Sequence, residues 1–238
     1  MRYTYEYPRP AVTADVVVFT IRGGDLCVLL IRRGKAPFKG SWALPGGFVD
    51  LNEPLERAAI RELEEETKLS GLIVEQLGAF GQPGRDPRGH TVSVAYYTFL
   101  AALRPVSAGD DASAVDWHAI RALPKMAFDH DDIIAMALER LRNRLADRGR
   151  SPVEIVPARF TLSELQHVHE AVLGRRIDKR NFRTRLLARG VVEPVAAARK
   201  TGRHRPAQLF RFAGADVPAG EPVKIRPSRR TRAAKRVR

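Results

Sequence analysis

Glu62, Glu65 and Glu66 lie at i, i+3 and i+4 in the run GGFVDLNEPLERAAIRELEEETKL, which starts at Gly46. In a helix this spacing brings all three carboxylates to one face. Like charges so close repel unless a cation lies among them. Hard oxygen ligands of this kind suit Mg²⁺ or Mn²⁺, which keep several waters and bind the phosphates of a substrate. Arg61 stands four residues before Glu65, placed to pair with it or orient it. Gly46 and Gly47 let the backbone approach a metal or phosphate closely. The helix is predicted over residues 53–69, with Asn52 or Glu53 as cap, Pro54 in its first turn, and Leu55, Ala59 and Leu63 on its buried side. Glutamates alone would describe an acidic solvent-facing surface; the wider spacing decides against that.

That wider spacing resembles the Nudix box, G-x5-E-x7-R-E-U-x-E-E-x-G-U with U apolar. Gly47, Glu53, Arg61, Glu62, Leu63, Glu65, Glu66 and Leu69 match it, and Lys68 stands where the family has glycine. The resemblance covers about residues 10–145. It implies an α/β/α sandwich, a nucleoside diphosphate linked to another group as ligand, and Mg²⁺ (or Mn²⁺) on Glu62, Glu65 and Glu66. These would be the catalytic residues where hydrolysis survives, with water attacking the pyrophosphate. The family glycine ends the helix in a left-handed turn that lysine tolerates less well, which predicts slow or absent hydrolysis. An active Mg-dependent ADP-ribose pyrophosphatase is the alternative.

Other side chains suit ligand chemistry. Arg85 and Arg88 flank Asp86 in a loop before a strand. They are candidates to clamp a pyrophosphate, with an Arg–Asp surface pair as the equal alternative. His130, between Asp129 and Asp131, reads as a helix-start histidine in preference to a base. Trp42 and Trp117 read as core. Tyr3, Tyr5 and Tyr7 alternate as in a strand.

The frame that must position these groups mixes strands and helices. Apolar runs at 15–22 and 26–32, separated by Gly23-Gly24-Asp25, predict a hairpin, and 91–100 a further strand. Residues 129–145 have helical spacing, with Asp129 as N-cap. The result is an α/β domain, assigned to residues 1–148. At 44% apolar the chain can bury a core. No run of 18 apolar residues suggests a transmembrane helix, and the N-terminus lacks the features of a signal peptide. Cys27 is the only cysteine. It excludes an internal disulfide and zinc clusters of several cysteines, and a reducing cytoplasm is expected.

Charge divides the chain. Of 41 basic and 27 acidic residues, 22 and 7 fall in residues 150–238, a balance of +15, while residues 1–149 sum to −1. A polyanion partner is therefore expected for the C-terminal third alone, with nucleic acid leading. Residues 149–158 read as a linker. At 161–173 a helix begins with a capping box, Thr161 with Glu164, and ends at Gly174; Asp178 caps a second helix that Gly190 stops. Strands at 191–195 and 208–212 flank a basic loop, 196–207. Helix, turn, helix and hairpin are the order of a winged helix-turn-helix, assigned to residues 159–213. A basic tail, 214–238, is expected to be disordered. On the second helix Phe182 and Leu186 face inward. Arg180 and Thr184 lie opposite, Arg183 flanks them, and Lys179 and Arg185 reach toward phosphates. Arg199, Lys200, Arg203, His204 and Arg205 fall in the wing loop, placed for phosphates or a minor groove.

Several segments, among them Pro37-Phe38-Lys39-Gly40, Gly84-Arg85-Asp86-Pro87-Arg88-Gly89, Ala127-Phe128-Asp129-His130-Asp131 and Asn181-Phe182-Arg183, resemble a narrower family, the Nudix-related transcriptional regulators of NAD metabolism. The resemblance spans about residues 7–212. It implies a repressor whose Nudix-like domain senses ADP-ribose or a related nucleotide, and whose winged helix binds a palindromic double-stranded DNA operator as a homodimer. No membrane partner is expected. A binding module with structural metal and no signal is the remaining rival.

Overall fold

The computed structural model describes residues 6–109, 112–147, 155–199 and 207–213. Tyr3 and Tyr5, the wing residues Lys200, Arg203, His204 and Arg205, and the basic tail lie outside the described residues.

The hairpin forms from β1 (Ala11–Arg22) and β2 (Asp25–Arg33), with Arg22 opposite Asp25. Gly23 and Gly24 have φ of 62° and 96°, the left-handed backbone that a two-residue turn between twisted strands requires. Strand β1 runs parallel to β6 (Thr91–Leu100) along nearly its whole length. The short strands β3 (Trp42–Ala43) and β4 (Gly46–Phe48) pair with β2 and β1. Two edge strands complete the sheet: β5 (Glu75–Phe80) beside β6 and β7 (Ala112–Ala119) beside β2. Neither edge strand has the β-branched run that marks β1.

Side chains alternate across this sheet. Ala14, Val16 and Val18 of β1 join Cys27, Leu29, Val94 and Tyr96 on one face, covered by Ala58, Ala59 and Leu63 of α1 (Leu55–Thr67). Val17 and Phe19 join Val28, Leu30, Ala95 and Tyr97 on the other, covered by Ile133, Ala137 and Leu141 of α2 (His130–Asp147). Burial on both faces makes the strands read as continuous apolar runs, and the domain is the expected α/β/α sandwich.

Helix α1 is shorter than predicted. Pro54 takes the N-cap position with no side-chain cap. Asn52 turns the chain with φ 64°, and both Glu53 oxygens are held by Arg61, so neither caps the helix. At the other end Lys68 adopts φ 61° and ψ 18°, so the left-handed turn forms with lysine in it. The Lys68 N–H donates to the Glu64 carbonyl and its Nζ to the Glu65 carbonyl, at 2.9 and 3.0 Å.

The C-terminal unit has the predicted order. Helix α3 (Leu162–Leu173) carries both halves of the Thr161–Glu164 capping box and ends at Gly174, φ 66°. Helix α4 (Lys179–Ala188) starts on Asp178, which accepts from the Asn181 N–H. Strands β8 (Val192–Arg199) and β9 (Ala207–Phe212) pair, and Phe160 adds a bridge to Phe210. Strand β8 is longer than predicted. Its register slips between Pro194 and Ala198 and then resumes, which carries Arg199 on the strand instead of the loop. Two residues of the expected linker, Ile155 and Val156, are buried, as their apolar side chains favour. They belong to the same apolar cluster as α2, α3 and α4. The Arg142 side chain of α2 donates to the Val172 carbonyl near the end of α3, at 3.0 Å.

Candidate functional site

A cavity of about 370 Å³ opens where β1, β2, β4, α1 and the start of α2 meet. Gly46, Gly47, Glu62, Glu66, Arg85 and Arg88 all line it. Gly46 and Gly47 leave no room for a side chain: a Cβ on Gly46 would overlap the backbone of β1, and one on Gly47 the Glu62 carboxylate. The glycine strand therefore lies directly against the acidic helix.

Arg61 is the hub of that helix. Its Nε and one Nη donate to the two oxygens of Glu53 at 2.8 Å. Its other Nη donates to Glu62 at 2.7 Å and approaches Glu65 at 3.5 Å, while the Nη on Glu53 also donates to the Phe48 carbonyl at 3.2 Å. One guanidinium thus supplies countercharge to Glu53, Glu62 and Glu65, while Glu66 has none from it. It holds the Glu53 carboxyl down at about 2. Arg61 itself is not among the cavity-lining residues, and neither is Glu65, whose side chain is 61% exposed.

Glu62 and Glu66 are buried more deeply. Burial raises both carboxyls, against the pull of Arg61 on Glu62. That of Glu66 is pushed up to about 8, with Glu62 and Asp15 adding to the effect of burial, although the Gly46 N–H donates to it at 2.9 Å. Two adjacent half-buried carboxyls held above their ordinary range are chemically suited to a hard cation, which would replace the proton. Glu65 does not converge with them, and no group of three ligating side chains close enough to hold an ion occurs among the described residues.

The two loop arginines take different partners. Arg85, with a side chain only 4% exposed, donates through Nε and Nη2 to both oxygens of Asp129 at 2.9 and 2.5 Å. Asp129 occupies the N-cap position of α2, its carbonyl accepting from Ile133, but its carboxylate serves Arg85. Arg88 is gripped by the buried Asp86, whose oxygens accept from its Nε, Nη2 and backbone N–H. His130 opens α2 and is buried; its Nδ1 accepts from the Leu44 N–H at 2.9 Å. That bond leaves Nδ1 without a proton, and burial lowers the pKa of the imidazole. Trp117 is buried and Trp42 half-buried against His118, in keeping with core roles.

Among the cavity residues not nominated from the sequence as site residues are Asp15, Arg33 and Phe128. Asp15 accepts from the Ser93 hydroxyl and lies 3.9 Å from His130 Nε2. It was legible as a lone charge within the apolar run of β1. Phe128 has no signal beyond its neighbours.

In the C-terminal unit Lys179, Arg180, Thr184 and Arg185 are exposed on α4, while Phe182 and Leu186 are buried. Arg183 is not outward: its Nη2 donates to Ser163 Oγ of α3 at 3.0 Å, and its Nε is buried without a partner.

Comparison with known proteins agrees with this arrangement. The NUDIX domain model matches residues 9–137, and the NrtR DNA-binding winged helix domain model matches residues 152–212. The chain is 38% identical over 212 residues to the ADPR responsive transcriptional repressor NtrR of Acinetobacter baylyi, covering 87% of this chain and 84% of that one. Its structure is similar to Shewanella oneidensis NrtR complexed with a 27mer DNA, with TM-score 0.65, 34% identity, and 84% and 93% of the two chains covered. The NUDIX domain of the same protein complexed with ADP ribose is similar at TM-score 0.53 and 36% identity, covering 57% of this chain and 90% of that one.

Proposed function

We propose a function from the premise that this chain belongs to the NrtR family, in which a Nudix domain precedes a DNA-binding winged helix: it is a transcriptional repressor that releases its operator when ADP-ribose or a related nucleotide fills the cavity. The carrying observation is α2. Its first turn belongs to the cavity through His130 and the Asp129–Arg85 pair, and its later turns hold α3 through Arg142 and Val172. A ligand that favours one setting of that helix also favours one setting of the DNA-binding unit, which is what coupling requires. The operator is double-stranded DNA, bound by a homodimer in the cytoplasm, and the genes are those of NAD metabolism. Arg180 and Thr184 read bases, while Lys179, Arg185 and the wing residues Arg199, Lys200, Arg203, His204 and Arg205 hold phosphates.

Within the cavity, Glu62 and Glu66 would hold Mg²⁺ or Mn²⁺, which would neutralise the diphosphate charge. Gly46 and Gly47 give the ligand access to backbone, Arg88 presents a cation, and Arg61 keeps the Glu62 carboxylate in place. Hydrolysis is slow or absent in this reading, because Glu65 stands outside the cavity. The rival pyrophosphatase reading draws on the helix end, since Lys68 still makes the left-handed turn. The test is a DNA-shift titration on the promoter of the protein's own gene neighbourhood, with and without ADP-ribose, alongside product analysis. Operator release with intact ADP-ribose is expected. Rapid hydrolysis with unchanged DNA binding would establish the rival.

A further inference from the structure

Two phenylalanines near the cavity have an unusual backbone. Phe38 and Phe128 have φ of 59° and 55°, a left-handed conformation that bulky residues rarely adopt and that persists only where the surroundings enforce it. Their rings meet edge to face, 4.9 Å apart. Around Phe128 the guanidiniums of Arg33 and Arg88 lie 4.9 and 5.6 Å from the ring centre, and Arg88 lies 4.9 Å from the ring of Phe48. Asp86 is 3% exposed and its carboxylate is devoted to Arg88, which fixes the plane of that guanidinium. Phe48 follows Gly46 and Gly47 on β4, yet is 45% exposed, and the Arg88 side chain is 40% exposed. Both line the cavity. A flat arginine and an exposed aromatic ring held together at a cavity mouth make a surface for a planar ring, and a cationic layer favours a neutral, electron-rich one.

We propose that Phe48 and the guanidinium of Arg88, backed by Phe128, form the stacking platform for the purine base of the bound nucleotide. The proposal rests on the reading of the cavity as a nucleotide site, and it gives Arg88 a role beyond that of a phosphate clamp. Phe128 sits one residue before Asp129, so a base on the platform lies beside the start of α2.

The experiment is calorimetric titration of the full chain with ADP-ribose, ADP and inorganic pyrophosphate, using the natural protein, Phe48→Leu and Arg88→Lys. Phe48→Leu keeps apolar bulk at an exposed position, and Arg88→Lys keeps the charge but removes the planar surface. Each variant is expected to lose about 5–100-fold in affinity for ADP-ribose and ADP, the range for one stacked base, while Phe48→Leu keeps pyrophosphate affinity within about twofold of the natural protein. Equal loss for all three ligands in Phe48→Leu would overturn the platform, and unchanged ADP-ribose and ADP affinities in either variant would overturn it outright. If the natural protein binds ADP but not ADP-ribose, with the same losses in the variants, the platform stands and the effector assignment falls.

Discussion

Replacing Asp129 by asparagine removes the carboxylate that holds a buried arginine at the junction of cavity and α2. The pair is bidentate, at 2.9 and 2.5 Å, and the Arg85 side chain is 4% exposed against 20% for Asp129. Removing one partner of a buried ion pair costs about 3–5 kcal/mol, because the remaining charge is left buried and uncompensated. Asp129 retains some water contact and asparagine still accepts one hydrogen bond, so the lower end applies, about 3 kcal/mol. For a chain of this size each kcal/mol moves the midpoint by about 2–4 °C, which gives a fall of about 6–12 °C in scanning calorimetry. Arg85→Ala should fall similarly. The double variant should be far less destabilised than the sum of the two, because the stranded charge disappears with its partner. A fall under about 2 °C for Asp129→Asn, or simple additivity in the double variant, would refute the strut. Arg85 would then be free to serve a ligand instead of α2.

Four further outcomes are expected. Glu62→Gln and Glu66→Gln should weaken Mg²⁺ or Mn²⁺ binding by calorimetry, while Glu65→Gln, outside the cavity, changes it little. Lys68→Gly removes a left-handed lysine at about 1–2 kcal/mol but also the Nζ bond to Glu65 and some unfolded-state advantage, so stability should rise by no more than about 1 kcal/mol. Turnover of ADP-ribose rising into the usual range of ~1–10³ s⁻¹ would place a catalytic defect at the helix end. Burial lowers the pKa of His169, packed on Phe182 with Nδ1 against the Leu165 carbonyl; its stabilising contribution is complete above the unfolded value near 6.5 and drains as pH falls below it, so His169→Gln should flatten the acid loss of midpoint in thermal melts. In operator competition at two salt concentrations, Arg180→Ala should cost about 1–3 kcal/mol and blur base choice, Lys179→Ala should lower the salt slope by about one unit, and Arg183→Ala should act mainly through stability by breaking the tie to Ser163.

What was legible in the sequence is what depends on near neighbours along the chain. The glutamate face needs only the helical period, and the capping box of α3 only a spacing of three. The split of α4 into a buried Phe182 and Leu186 and an exposed Arg180 and Thr184 follows from 100° per residue. The β1–β2 hairpin was marked by its two glycines. Edge strands β5 and β7 were not marked: EQLGAF and ASAVDWHA have neither clean alternation nor a β-branched run, and they become strands because β6 and β2 offer open edges.

The cavity follows the same rule in reverse. Its decisive pairings join residues far apart: Leu44 to His130, Asp15 to Ser93, and Arg85 to Asp129 across 44 positions. Sequence could nominate Arg85 as a cation suited to phosphate, because charge and loop position are local. It could not show that Asp129 would take both of its paired donors, because that depends on α2 starting at one point above the sheet. The same applies to Arg183, whose outward placement on a helical wheel yields to Ser163 on the packed neighbour. Each of these arginines is a ligand group by composition and a structural tie by geometry. Arg88, by contrast, keeps an exposed surface at the cavity, and its orientation is fixed within its own loop, by Asp86 two residues away. Where a local partner orients a cation, the long-range fold need only bring it to the cavity, and its exposed face remains available to a ligand.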